Sequence, residues 1–413
     1  MADAVSIALV GVGGYGNIYL STLLDADRNG FVLSGAVDPS PASCKRLGDL
    51  HARHVPLFTS LDQMYERHQP EMVVVSSPIH LHCRHTVDAL TRGSHVLCEK
   101  PLCVTLEQAH TMLEARDRAG RQVAVGYQWS FCPAIQRLKQ DVMAGLFGAP
   151  RRLRTLVLWP RDERYYRRNR WAGRRVNDDG EPVHDSPVSN ACAHYLHNML
   201  YVLGPRVDRS ATPLAVTAEL YRAQSIESYD TAALRCVTEG GAELLFVASH
   251  ATRHARGPVF SYEFENATVT FAEGEDRGAI VARFADGTTK RYGPPCKATD
   301  PGKLWVTLDA VRSGEPVPCG IEAAIPHMQV TCAAHQSTPD VVPFPAPLVT
   351  VEGEVGSRRT CVLGLDEALT RCYETGKLPG EMGVPWSVPG AATLVRPFEK
   401  SETPPQPLAG AAS

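Results

Sequence analysis

The stretch "SIALVGVGGYGNIYLSTLLDA", Ser6 to Ala26, decides the fold. Ile7 to Val10 is an apolar run of strand length, and the loop Gly11 to Gly16 follows with the spacing GxGxxG. "NIYLSTLL" then continues with helical periodicity. Strand, glycine turn and helix together can seat a pyrophosphate. Gly11 permits the tight turn, Gly13 lets phosphates approach the backbone, and Gly16 lets the helix pack closely on its strand. The helix start adds free N–H groups and partial positive charge. Gly11, Gly13, Gly14, Tyr15, Gly16 and Asn17 are therefore candidate cofactor contacts. A second strand, "FVLSGAV", ends in Asp38, 22 positions beyond Gly16. A carboxylate there accepts hydrogen bonds from both adenosine ribose hydroxyls and repels a 2′-phosphate, which favours NAD over NADP. The competing reading is an Asp-Pro turn with no ligand, and Lys45 and Arg46 downstream oppose the preference for NAD.

Outward from this unit, "EMVVVSSP" reads as a buried strand and "LHCRHTVDALTRG" as its helix. "HVLCEK" is the next strand, "TLEQAHTMLEARDRAG" the next helix, and "RQVAVGYQ" a further strand. Such alternation predicts a doubly wound parallel sheet, with ligands at the carboxyl ends of its strands. Ser77, Pro78, His80, Glu99, Lys100 and Gln128 stand at those ends. Pro101 biases Lys100 away from the α region, so an ammonium group is fixed at a strand tip. "HLHCRH" invites a zinc reading, but His80 and His82 are two apart and cannot share a helical face, and no second cluster has metal spacing. Both histidines fit a loop-to-helix junction beside the nucleotide, and no metal is expected.

At 413 residues and a net charge of −3, the chain is long enough for two domains and has no overall pull toward nucleic acid or anionic membrane. No apolar stretch approaches the ~18 residues needed to span a bilayer. The N-terminus has no basic region of a signal peptide. Twelve scattered cysteines without a CxxC pair read as reduced thiols of a cytoplasmic protein.

The segments "GVGGYG", "SSPIHLH", "DALTRGSHVLCEKPL" and "GYQWSFCPA", with Asp38, resemble the glucose–fructose oxidoreductase, inositol dehydrogenase and MocA (Gfo/Idh/MocA) family of pyridine-nucleotide oxidoreductases. The resemblance implies an α/β chain: an N-terminal Rossmann domain over residues 1–126, then an α/β domain over 127–400 built on an open, mostly antiparallel sheet. That second domain carries substrate and an interface between copies of the chain, so a homo-oligomer is expected. A proline-rich polar tail, 401–413, is expected to be disordered. "LRTLVLW", "AVTAELYRA", "TAALRCVT", "AELLFVASHA", "FSYEFE", "ATVTFA" and "AIVARF" have strand length and pattern for that sheet.

The same resemblance places Lys100 in the active site and gives His194, in "SPVSNACAHYLHNMLYVLG", the position of the family's histidine; Asn190 stands where an acid is usual. The i,i+4 spacing puts Asn190 and His194 on one helical face. Oxidation of a secondary alcohol requires the hydroxyl proton to leave as the hydride moves. With an ordinary pKa of about 6.5, His194 is suited to take it, while Lys100 orients the oxygen. Without a carboxylate at position 190, the lysine pKa drifts down and Lys100 can share the proton; the sequence leaves the choice open.

Trp129 offers a flat apolar face for a sugar ring, with core packing as the alternative. Ten arginines lie between Arg151 and Arg175, interleaved with aromatic residues in "WPRDERYYRRNRWAG". This segment reads as a solvated or bridging loop, a nucleic-acid patch, or a loop closing over a polyol. The last reading makes Arg161, Tyr166, Asn169, Trp171, Asp185, Asn190 and His197 candidate substrate contacts, with Asp185 able to restore the missing charge. It resembles the branch of the family that oxidises sugar units of glycosides, sometimes at carbon 3. An inositol or free-polyol dehydrogenase, and a sugar-sensing regulator that binds dinucleotide without turnover, are the alternatives. The intact Glu99-Lys100-Pro101 and His194 favour an enzyme.

Overall fold

In the computed structural model, which describes residues 4–297 and 299–398, the first sheet is assembled from short apolar strands with a helix between most pairs. Its elements are β1 (Val5–Val10), α1 (Gly16–Asp25), β2 (Phe31–Val37), α2 (Leu47–Ala52), β3 (Leu57–Phe58) and α3 (Leu61–Tyr65). After these come β4 (Met72–Val75), α4 (His82–Thr91), β5 (His95–Cys98), α5 (Leu106–Ala119) and β6 (Val123–Val125). The strands pair in parallel in the order β3-β2-β1-β4-β5-β6. Met72 to Val75 and Val96 to Cys98 are wholly buried, as strands covered on both faces must be. The order reverses between β1 and β4, which opens a crevice at their carboxyl ends. There the Ser76 N–H donates to the Val10 carbonyl at 2.7 Å. Helix α5 starts in a reciprocal Thr105–Gln108 cap and stops at left-handed Gly120.

The rest of the chain supplies α6 (Pro133–Met143), β7 (Pro150–Leu158), α7 (Glu163–Arg167), α8 (Ala193–Val202), β8 (Pro213–Arg222), β9 (Thr231–Thr238) and β10 (Glu243–Ser249). Beyond these lie β11 (Arg256–Phe264), β12 (Ala267–Ala272), β13 (Ile280–Phe284), β14 (Thr289–Gly293), α9 (Gly302–Ser313), α10 (Ile321–Ser337), β15 (Val342–Pro343) and α11 (Leu365–Thr375). The second sheet runs β14-β13-β12-β11-β7-β10-β9-β8-β15, antiparallel except at β7–β10 and β8–β15. The seven segments expected as strands lie in β7 to β13. Alternate residues face opposite layers. Leu153 and Val157 join the core that includes α8 and α10, while Leu156 and Leu158 join Leu365, Leu369 and Cys372 of α11.

Helix α9 lies on the first sheet although it follows most of the second in sequence. Its Trp305 ring sits 5.3 Å from Phe31, its Ala310 carbonyl accepts from Gln122 Nε2 at 3.2 Å, and its Asp309 pairs with Arg28. No helix among the described residues is long and apolar enough to cross a membrane. The expected tail, 401–413, lies outside the described residues.

Candidate active site

The glycine turn packs against the tip of β4. Gly11 has φ +85, and a Cβ there would lie 2.6 Å from the Ser76 carbonyl oxygen; one on Gly16 would lie 2.0 Å from the Gly11 carbonyl oxygen. Gly14 faces open space, and a Cβ on Gly13 would meet only the Ser43 side chain within 3 Å. Asp38 holds the loop's shape, its carboxylate accepting from Val12 N at 3.0 Å and Ser40 N at 2.9 Å. Arg46 is engaged by Asp25 and Asp49. The buried Ser76 Oγ, His80 Nδ1 and Gln128 Nε2 have no hydrogen-bond partner among the described residues. An open glycine cradle, a carboxylate at the end of β2 and unmet polar atoms around the crevice fit a dinucleotide.

Three expected cofactor contacts carry bonds within the scaffold. The Asn17 amide is consumed, donating to the Gly14 and Ser43 carbonyls and accepting from Lys45 N at 2.7 Å. Buried His82 directs its two ring nitrogens at the carbonyls of Pro101, 2.8 Å, and Ser77, 3.0 Å; it ties the β4 and β5 tips together. Glu99 is also buried. It accepts from Tyr19 Oη at 2.6 Å and from the Lys100 N–H at 3.1 Å, and it pairs with Lys303 of α9. The Lys303 ammonium lies 4.2 Å from the Tyr15 ring centroid. Ser77 Oγ bonds His85 Nδ1 at 2.9 Å, and Pro78 is exposed at the rim. Burial lowers the His80 pKa against the pull of Glu181 and Asp179.

Beyond Glu99, Lys100 reaches out of the first sheet. Its Nζ donates to the Asn190 carbonyl at 2.7 Å and to Asn190 Oδ1 at 2.8 Å. Asn190 Nδ2 in turn donates to Asp185 Oδ1 at 2.7 Å, which fixes the amide's orientation. Asp185 is buried, and its other oxygen accepts from Gly173 N at 2.7 Å and faces Arg168 at 3.4 Å. Burial pulls the Lys100 pKa down to about 8; Glu99 and Asp185 oppose the shift and Lys303 adds to it.

Asn190 and His194 do not share a regular α-helical face. Pro187 to Ala191 form a π turn, with the Cys192 N–H reaching back to the Pro187 carbonyl at 2.7 Å, and α8 begins only at Ala193. Pro187 at the turn's start and the Ser186 side-chain cap shape it. His194 stands beyond it, its Nδ1 buried without a partner among the described residues. Burial, with the Lys100 charge second, holds its pKa well below the ordinary histidine range.

Two other expected substrate contacts, Trp129 and His197, are packed in the core. Trp129 is core, packed on Tyr195 at 4.9 Å and donating to the Cys296 carbonyl at 3.2 Å. His197 is fully buried, stacked 3.9 Å from Tyr127 and bonded to Ser130 Oγ at 3.0 Å. Its place on α8, one turn past His194, points it into the core, so it supports the floor. The Asn169 Oδ1 accepts from Trp171 N and Ala172 N, shaping the loop, and the Trp171 ring lies under Arg168 at 5.3 Å. Arg161 and Tyr166 retain unmet buried atoms, Nε and Oη. The sequence alone did not single out Lys303, Tyr19 or Tyr165, whose contacts need the folded chain. A lysine in register with Leu304, Thr307 and Leu308 on a buried helical stripe was the available signal for Lys303.

The family of oxidoreductases with an NAD-binding Rossmann fold, Gfo/Idh/MocA, matches residues 5–127. The match is confined to those residues, the N-terminal part of the chain. Among its relatives, the rhizopine catabolism protein MocA of Rhizobium meliloti is 29% identical over 34% of this chain and 43% of its own length. D-glucoside 3-dehydrogenase of Escherichia coli is 32% identical over 33% of this chain and 36% of its own length. The alignments thus span under half of these relatives. Across most of the chain the likeness is one of fold. The WlbA dehydrogenase of Bordetella pertussis, solved with NADH and UDP-GlcNAcA, superposes with TM-score 0.68 at 21% identity, over 82% of this chain and 96% of that one. The N-terminal sheet is the part of the chain that matches the family's NAD-binding Rossmann fold.

Proposed function

We propose that the chain is an NAD-dependent dehydrogenase that oxidises a secondary hydroxyl of a sugar or glycoside, carbon 3 of a glucosyl unit being the leading position. The observation that carries this reading is the pair of hydrogen bonds from Lys100 Nζ to Asn190 at the carboxyl end of the nucleotide-binding sheet. A neutral amine has two N–H groups and one lone pair. Asn190 occupies both donors, which leaves the lone pair for a substrate hydroxyl.

NAD, held by the glycine turn and Asp38, would supply the hydride acceptor for the carbinol carbon. The residues of this chain handle the proton. With a pKa near 8, the Lys100 amine is available close to neutrality and takes the hydroxyl proton as the C–H bond breaks. The new ammonium keeps its two bonds to Asn190, and Asp185 supports the charge through the amide. His194 stays neutral and orients the oxygen; its depressed pKa makes it the weaker proton acceptor of the two. This assigns Lys100 as base and His194 as orienting group, the reverse of the roles expected from ordinary pKa values. The relatives' names, which include glucoside 3-dehydrogenase and UDP-N-acetylglucosamine 3-dehydrogenase, support the substrate class.

The test is NADH formation with a panel of sugars, glycosides and inositols. A glucoside or related sugar should give turnover, and Lys100→Met should reduce kcat at least ~10³-fold with NADH still bound. Turnover with inositol alone would move the assignment to a polyol dehydrogenase. Wild-type kcat retained by Lys100→Met would refute the proposed chemistry.

A further inference from the structure

The loop after β7 carries a run of arginines, and those from Arg164 to Arg174 each face a carboxylate. Arg164 pairs with Asp162, Arg167 with Glu163, Arg168 with Asp185, Arg170 with Asp178, and Arg174 with Asp178 and Glu227. Arg161 differs. Among the described residues it has no carboxylate within ion-pair reach, and its buried Nε has no hydrogen-bond acceptor. Its guanidinium lies 4.7 Å from the Tyr165 ring centroid and 5.5 Å from that of Trp159. Aromatic faces hold such a cation in place without satisfying its N–H donors. A half-buried, unpaired guanidinium is costly unless a ligand completes it.

Two features connect this cation to the lysine. The Cys192 thiol, between the π turn and α8, is pushed up to about 12 by burial, against the pull of both Arg161 and Lys100. Tyr195, next to His194, packs its ring 5.5 Å from Trp159. Arg161 thus belongs to the wall beside the reacting centre. The charge there is unbalanced. Asp185 is shared among Arg168, Gly173 and Asn190, while Arg161 and Lys100 have no dedicated counter-ion among the described residues. His250, at the end of β10, bonds the Trp159 carbonyl through Nδ1 at 2.9 Å, and burial drives its pKa to about 3. It is therefore neutral with its proton on Nδ1. The buried Nε2 is a bare acceptor with no donor among the described residues, suited to a sugar hydroxyl.

We propose that the substrate carries an oxyanion on or next to its sugar ring, and that Arg161 binds it while His250 Nε2 accepts from a neighbouring hydroxyl. A ring carboxylate and a sugar phosphate share this chemistry. The proposal rests on the dehydrogenase reading for its reaction but not for its binding geometry.

The experiment compares methyl glucoside, methyl glucuronide and glucose 6-phosphate, by turnover with NAD and by calorimetric binding to the NADH-loaded protein, in which no oxidation runs. One of the anionic sugars should exceed the glucoside in kcat/KM and in affinity by about 10–100-fold, the range of a charge-assisted pair. Which one does so separates a carboxylate from a phosphate site. Arg161→Met should reduce that ratio to near one, and Arg161→Lys should restore part of it. A wild-type ratio near one, binding of none of the three sugars, or an unchanged ratio in folded Arg161→Met would overturn the proposal. If glucosides are oxidised without charge preference, Arg161 is misassigned and the dehydrogenase stands. If anionic sugars bind preferentially but nothing is oxidised, the dehydrogenase reading fails and the anion site stands.

Discussion

Replacing Asn190 by aspartate tests the lysine chemistry directly. The substitution changes one amide group into a carboxylate 2.8 Å from the Lys100 ammonium, with little change of shape. A unit charge at that distance, with an effective dielectric of ~20, interacts by about 6 kcal/mol. Desolvation of the new carboxylate, its closeness to Asp185 and loss of the amide dipole offset much of this. Opposite charges at such range ordinarily shift a pKa by about 1–3 units. A rise of about two units moves Lys100 from near 8 to near 10. The sign follows: if the neutral amine accepts the proton, activity rises with pH through the lysine pKa and is lost below it. At pH ~7 the neutral fraction then falls from about one in ten to about one in a thousand, so kcat/KM drops ~100-fold. Above pH ~10 the variant approaches wild type. The assay is kcat/KM from initial NADH formation across pH ~6–10.5, with cofactor binding measured separately. A wild-type profile that falls through pH 8, or a rising limb that stays near 8 in Asn190→Asp, would refute the assignment of Lys100 as base.

Other outcomes follow from the same geometry. Lys303→Met leaves Glu99 buried without its partner and should destabilise the protein by ~3–5 kcal/mol, whereas Glu99→Gln with Lys303→Met should recover most of that loss in denaturant melts. Gly16→Ala places a Cβ 2.0 Å from a carbonyl oxygen and should abolish folding or NADH binding, while Gly14→Ala, open but at φ +49, should lose only ~1 kcal/mol of stability. Asp38→Ser removes the carboxylate at the end of β2. The NAD-over-NADP ratio of kcat/KM should drop at least ~10-fold; an unchanged ratio would mean that Asp38 only braces Val12.

Local patterns were legible in the chain because they are repeated and short-range. Apolar runs at strand length, glycines at fixed spacing and a carboxylate after β2 each report a backbone need, and they led to the parallel sheet and the nucleotide crevice. The second sheet could be read as segments but not as an order, because pairing β7 with both β10 and β11 depends on contacts distant in sequence. Strand β3, two residues long, was too short to show periodicity. The π turn escaped because i,i+4 spacing presumes an α-helix, and only the Cys192-to-Pro187 bond reveals otherwise. For Trp129 and His197, the chemistry of the side chain pointed to a ligand, while their burial among aromatic residues consumed it. Asn190 was read as a lost charge and a substrate contact, with Asp185 as the replacement charge; the two bonds from Lys100 to Asn190, and the amide's own bond to Asp185, show only in the folded chain.

Helix α9 has a consequence for how the polypeptide is made. A ribosome releases β1 to β6 long before α9, so nascent Glu99 waits without its counter-ion and Phe31 without its cover until the C-terminal third emerges. The NAD-binding unit therefore completes this ion pair and this aromatic cover only when α9 arrives. Premature termination before residue 302 would release an apolar surface for chaperones to hold and a glycine cradle whose tyrosine has lost the ammonium beneath it.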